Sequence, residues 1–134
     1  MDPALLHAIS QGSDILCVSH VAPDGDAVGS LLGMGWLLRR LGKTPVLALQ
    51  DPVPLEHCEL PGACDIVTRR MPAFESAVRR RRFDLIICLD SSSLDRMGEV
   101  YNAGVHDQAT LLVIDHHVTT TRFGDLNWVD PGSA

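Results

Sequence analysis

Seven side chains that could bind a divalent cation or handle a proton fall in three short clusters. The first is His20-Val21-Ala22-Pro23-Asp24-Gly25-Asp26, the second is Asp90, and the third is Asp115-His116-His117. Histidine offers a borderline nitrogen donor and aspartate offers hard oxygens. That mixture suits Mn²⁺ or a similar ion and not a closed, thiolate-bound zinc. In the first cluster Pro23 fixes one φ and Gly25 permits a positive one, so a tight turn is expected there. Gly29 and Ser30 follow in what reads as the first turn of a helix. Free N–H groups and the positive dipole end at such a place can hold a phosphate. Taken singly, these residues have plainer uses: Asp26 as an N-cap, Asp24 as a turn former, His20 as a strand end. Recurrence at three strand ends favours the metal reading.

The elements that must position these clusters follow from the apolar runs. Pro3–Ile9 reads as a helix stopped by Gly12, and Asp14–Ser19 as a strand buried on both faces. Ala27–Leu41 reads as a long helix ended by Gly42. Its Leu31, Leu32, Met34, Trp36, Leu37, Leu38 and Leu41 cover most of the circumference, so it is expected to be largely buried or to meet a second partner. Thr44–Leu49 and Asp65–Thr68 read as strands around a Pro-rich loop, 51–62. Pro72–Arg82 reads as a helix with Phe74 and Val78 inward, its arginines 79–82 a solvated end facing the negative dipole. Asp84–Leu89 and Thr110–Ile114 read as strands, Leu94–Gly104 holds a short helix, and Phe123–Ala134 has no clear closing element. Alternating strands and helices imply an α/β fold of βα units, Rossmann-like, with a mostly parallel sheet.

The 134 residues suit one domain, and 46% hydrophobic with 21% charged residues describes a globular chain. A net charge of −6 argues against a broad grip on duplex nucleic acid, though not against a short oligonucleotide or nucleotide. Cys17 and Cys88 sit in apolar runs, and Cys58 and Cys64 lack zinc-ligand spacing. The absence of a disulfide framework or basic leader fits a cytoplasmic protein. The most apolar segment, 31–38, is far shorter than the roughly 20 residues a membrane helix needs.

In open parallel sheets, ligands bind outside the carboxyl ends of the strands. If the strands before the three clusters are neighbours, four carboxylates and three imidazoles meet at one edge. Unneutralised, such carboxylates repel one another and their pKa values rise; a pair of divalent cations removes the repulsion. Two ions about 3.5–4 Å apart polarise a phosphoryl group and activate water, the chemistry of phosphoester or phosphoanhydride hydrolysis.

Together the segments His20-x-x-x-Asp24-x-Asp26 with Gly29-Ser30, Leu89-Asp90 and Asp115-His116-His117 resemble the DHH phosphoesterase family. The Pro-Asp-Gly-Asp-Ala turn and Asn127-Trp128-Val129-Asp130-Pro131 look most like its branch of oligoribonucleases and phosphoadenosine-phosphate phosphatases, the nanoRNases. The resemblance implies two Mn²⁺ ions, one on His20 and Asp24, the other on Asp26 and His116, with Asp90 bridging. It implies His117 near the phosphate and Asp115 orienting the histidine pair, with a strand-end cap as Asp115's plainer role. Implied substrates are short 5′-phosphorylated oligonucleotides or 3′-phosphoadenosine 5′-phosphate. A cyclic-dinucleotide phosphodiesterase, an inorganic pyrophosphatase, a nucleotide-binding module without catalysis and a plain structural domain are the alternatives.

The resemblance covers the front part of such a protein. A further metal-binding Asp and a DHH-associated domain are expected beyond Ala134. Residues 1–134 are thus expected to form a truncated N-terminal DHH domain, incomplete at its C-terminus, with weak or no turnover. Uncovered apolar surface in such a piece would favour a homo-oligomer.

Overall fold

The computed structural model describes residues 2–132. Its elements, in order, are α1 (Pro3–Gln11), β1 (Ile15–Val18), α2 (Gly25–Arg40), β2 (Val46–Leu49), β3 (Val67–Thr68), β4 (Leu85–Leu89), α3 (Ala103–His106), β5 (Thr110–Asp115) and β6 (Leu126–Val129). The strands form one six-stranded sheet in the order β3-β2-β1-β4-β5-β6, with every neighbouring pair parallel. The α/β parallel-sheet expectation therefore holds. The order reverses at β1, which pairs with both β2 and β4, and that switch point is where ligands gather in open parallel sheets.

Strands β1 and β4 are buried along their whole length, as their unbroken apolar runs require of central parallel strands. Their side chains alternate between two cores. Ile15, Cys17, Leu85, Ile87 and Leu89 pack with Leu5, Val28, Leu31 and Leu38 on the face carrying α1 and α2. Leu16, Val18, Ile86 and Cys88 pack with Phe74, Val78, Met97 and Val100 on the other. Close approach explains one helix glycine: a Cβ on Gly35 would stand 2.8 Å from Leu47 Cδ1. Gly29 and Gly33 meet nothing within 4 Å among the described residues.

Several elements differ from the sequence expectations. Helix α2 begins two residues earlier, because Asp24 and not Asp26 caps it, its carboxylate accepting from Ala27 N at 3.0 Å. The helix is not buried all round: Leu31, Leu32 and Leu38 face the sheet, while Trp36, Leu37 and Leu41 are about half exposed. Residues 63–65 make a 3₁₀ turn that shortens β3 to two residues. The helix expected over 72–82 reduces to a single wide π-type turn, Glu75–Arg79, although Phe74 and Val78 do point inward. Three of its arginines are paired: Arg79 and Arg80 with Glu75, Arg81 with Asp14. The helix expected over 94–104 splits into 3₁₀ turns over Leu94–Val100, broken at Gly98, and the short α3. Buried His106 ties α3 down, its Nε2 donating to Val78 O at 2.9 Å while burial holds its pKa low. Strand β6 was not expected at all.

Cys17, Cys58, Cys64 and Cys88 are free thiols. No helix among the described residues is long and apolar enough to cross a membrane.

The entrances of β1 and β4 are clamped by Asp84. Its carboxylate accepts from Ser13 N, Ser13 Oγ (2.7 Å) and Asp14 N (3.1 Å). Burial pushes this carboxyl up, and the three donors outweigh it, so the acid sits below its ordinary 3.8. Asp84→Ala is expected to destabilise the chain by about 1 kcal/mol, the side chain being largely exposed, measured by urea unfolding at pH 7. A depressed carboxyl stabilises above its unfolded pKa and loses that contribution as pH falls through the folded one. The gap between wild type and variant should therefore close below the ordinary value of 3.8. An equal gap at pH 7 and at pH 2.5 would rule out the charged form as its source.

Candidate metal centre

The site residues gather at the carboxyl ends of β1, β4 and β5: His20 and Asp24 follow β1, Asp26 lies in the first turn of α2, Asp90 follows β4, Asp115 closes β5, and His116 and His117 follow it. Leaving β1, Ser19 Oγ donates to Leu89 O at 2.7 Å, which pins the end of β1 to the end of β4. His20 follows, buried, its Nδ1 donating to Val21 O at 2.6 Å. That bond sets the neutral ring with its lone pair on Nε2, the atom facing Asp24 and Asp90. The loop is held on both sides: Val21 N donates to Arg96 O at 2.7 Å, and Ala22 N to Asp51 Oδ2 at 2.7 Å.

Asp90 ends β4 with φ +56, a left-handed conformation that Asp tolerates better than most residues. Its N–H donates to Ile114 O at 3.0 Å, so β5 fixes the turn. The side chain is buried, and its two oxygens face different histidines. Oδ1 lies 2.8 Å from His116 Nε2 and Oδ2 lies 3.4 Å from His20 Nε2. Around this carboxylate the donors form two groups, each within 4.8 Å: His20, Asp24 and Asp90, then Asp90, Asp115, His116 and His117. Exposed Asp26 stands at the rim of the second group, 3.9 Å from His116 Nε2.

The electrostatics follow from Asp90. It raises the pKa of His20 against the opposing effect of burial, and raises that of His116 in the same way. Burial pushes Asp90 itself up, but hydrogen bonds from His20 and His116 outweigh burial and leave it lowered. Asp115, its side chain fully buried, is likewise pushed up by burial and brought down further by the Thr120 hydroxyl and by His117. Two buried carboxylates facing histidine nitrogens form a donor set that fits divalent cations: oxygens carry the charge, and His20 presents a fixed lone pair.

Three details depart from the expectations. Asp115 orients only one of the histidine pair: His117 Nδ1 lies 2.6 Å from Asp115 Oδ1, whereas His116 turns to Asp90. Because α2 starts at Gly25, Gly29 and Ser30 lie in its second turn, where backbone N–H groups belong to the helix ladder and are not free for an anion. Ser30 still reaches the site, lining a cleft of about 240 Å³ with Asp26, Asp90, Asp115 and His116. Trp128 and Asp130 line the same cleft, brought there by β6, and sequence reasoning gave them no place in the site. Their signal was the short run Leu126-Asn127-Trp128-Val129, bounded by Gly124 before and Pro131 after.

The chain matches the DHH family, N-terminal domain, over residues 14–134. It is 32% identical over 120 residues to a bifunctional oligoribonuclease and PAP phosphatase NrnA of Thermus thermophilus, covering 90% of this chain and 33% of that one. It is 30% identical over 136 residues to the protein of the same name from Bacillus subtilis, covering all of this chain and 39% of that one. The chain thus spans 33% and 39% of the length of these relatives. Among solved structures it superposes on an exopolyphosphatase-related protein from Bacteroides fragilis, with a TM-score of 0.83 and 28% identity, over 96% of this chain and 38% of that one. The match over residues 14–134, read with the relatives' similarity, places the chain in the DHH family through that family's N-terminal domain.

Proposed function

We propose that this chain is the metal-holding part of a phosphoesterase that hydrolyses short 5′-phosphorylated oligonucleotides, 3′-phosphoadenosine 5′-phosphate, or both. The observation that carries this reading is Asp90, whose two oxygens face histidines from two different strand ends. In this reading His20 and Asp24 hold one Mn²⁺, Asp26 and His116 hold the other, and Asp90 lies between. Bound there, the ions polarise the phosphoryl group and lower the pKa of water.

The chain's own residues do the rest. Asp115, held in turn by the Thr120 hydroxyl, fixes the His117 ring through its Nδ1, which leaves Nε2 of the protonated ring to donate to a phosphate oxygen or to the departing alkoxide. Ser30 offers its hydroxyl from the opposite wall of the cleft. The net charge of −6 favours short substrates over a long polymer backbone. Cytoplasmic placement, with access to such fragments, belongs to this reading.

The test is release of mononucleotide from a 5′-phosphorylated dinucleotide, and of phosphate from 3′-phosphoadenosine 5′-phosphate, with and without Mn²⁺. Turnover that depends on Mn²⁺ is expected with one or both substrates. Turnover of pyrophosphate or a cyclic dinucleotide alone would replace the substrate assignment. Nucleotide binding with no turnover of any of these would make the chain a binding module.

A further inference from the structure

One wall of the cleft is not accounted for by the metal ligands. The parallel register places Leu89 beside Ile114 and Ile114 beside Trp128, so one apolar row crosses β4, β5 and β6 on a single face. All three side chains line the cleft, facing Asp26 and Ser30 of α2. Exposure rises along the row from 4% at Leu89 to 38% at Trp128. The row thus begins in the core under the metal ligands and ends as an open indole.

That indole stands apart from the other aromatic residues. Phe74, Phe83, Tyr101 and Phe123 belong to the core on the opposite face of the sheet. Trp36 lies on the outer side of α2, beneath the Arg39 guanidinium. Trp128 alone among the described Phe, Tyr and Trp side chains lines a cleft shared with Asp90, Asp115 and His116. A flat apolar surface beside a site for an anion matches a nucleotide, whose phosphate and base need opposite environments.

Resting on the phosphoesterase reading above, we propose that Trp128 is the stacking surface for the nucleobase attached to the reacting phosphate. Leu89 and Ile114 extend that surface toward the metal ligands. Selectivity then lies between base-bearing phosphates and bare or sugar phosphates. It does not lie between one base and another, because every base has a π-face. The cleft, of about 240 Å³, has room for a base beside the phosphate.

The chain's two tryptophans make the test direct. Trp36→Phe leaves Trp128 as the sole indole. With Mn²⁺ present, adenosine 5′-monophosphate is expected to quench its fluorescence saturably. Ribose 5-phosphate should compete for the site without quenching. Trp128→Ala should weaken adenosine 5′-monophosphate about tenfold or more and leave ribose 5-phosphate unchanged, while Trp128→Phe retains most of the affinity. Equal affinity of both ligands in wild type and Trp128→Ala would overturn the stacking role and leave the phosphoesterase reading standing. Failure of both ligands to bind to a chain that binds Mn²⁺ would overturn that reading itself. An altered oligomeric state in Trp128→Ala with unchanged nucleotide affinity would assign the indole to a protein contact and overturn the proposal.

Discussion

Exchanging Asp90 for Asn should weaken Mn²⁺ binding at least about 100-fold, since even residues one shell behind a metal are worth about 10–100-fold. Titration calorimetry near pH 7.5 would read the loss directly. The variant keeps the shape of the side chain and removes the charge that both histidines face, at 2.8 and 3.4 Å. Its metal-free form carries a second signature. His20 and His116 titrate above their ordinary 6.5 chiefly because of Asp90, so both should fall back in the variant when followed by NMR. The sign is set by linkage. A raised histidine pKa stabilises the fold below its unfolded value and loses that contribution as pH rises through the folded one. The lowered Asp90 contributes above its ordinary 3.8 and fades as pH falls. Without metal, the three groups therefore support the fold most between those limits, and Asp90→Asn should be most damaging there. Wild-type Mn²⁺ affinity in the variant, or histidines that titrate unchanged, would disprove the shared-carboxylate arrangement.

Gly98→Ala should be the most disruptive single methyl in the molecule, although Gly98 touches no metal ligand. The residue sits at φ +62 and ψ −141, a conformation that side chains avoid. A Cβ there would stand 2.7 Å from Val21 Cγ1 and would overlap the Gln50 amide oxygen. Both neighbours support the His20 loop. Gln50 Oε1 accepts from Glu99 N at 2.9 Å, its Nε2 donates to Asp51 Oδ1 at 3.3 Å, and Asp51 in turn holds Ala22. Strain and overpacking together are expected to destabilise the chain by about 2–4 kcal/mol. That loss lowers Tm by about 10 °C for a domain of this size. Displacement of Val21 should also weaken Mn²⁺ binding by the protein that remains folded. Gly33→Ala is the matched control: its Cβ meets nothing within 4 Å, and in a helix interior Ala is worth about 0.5–1 kcal/mol more than Gly. A Gly98→Ala variant as stable as Gly33→Ala would refute the buttress.

The central strands were legible because their signal is local. Ile15–Val18 and Leu85–Leu89 are unbroken apolar runs, and a strand buried on both faces needs nothing else. Strand β6 escaped notice for the opposite reason. It lies at the sheet edge, only partly buried, and gains its identity from pairing with β5. The stretch 72–82 carries a helical pattern, yet only its middle turn forms; beyond it Arg81 pairs with Asp14. The cap of α2 was misplaced by two residues because both Asp24 and Asp26 suit an N-cap, and only the turn geometry chose Asp24.

Residue types and their short spacings by themselves determined the set of candidate donors, the parallel α/β class and the gathering of those donors toward the carboxyl ends of strands. Tertiary structure alone decided which candidate donors come together. Strand order puts β1 and β5 on either side of β4, so Asp90 meets His20 through one oxygen and His116 through the other. It also decided that Asp115 serves His117 alone and that Trp128 enters the cleft. The Asp90 pairings join residues far apart along the chain. They depend on sheet order and register, which are set by the burial of whole faces and not by any local run of residues.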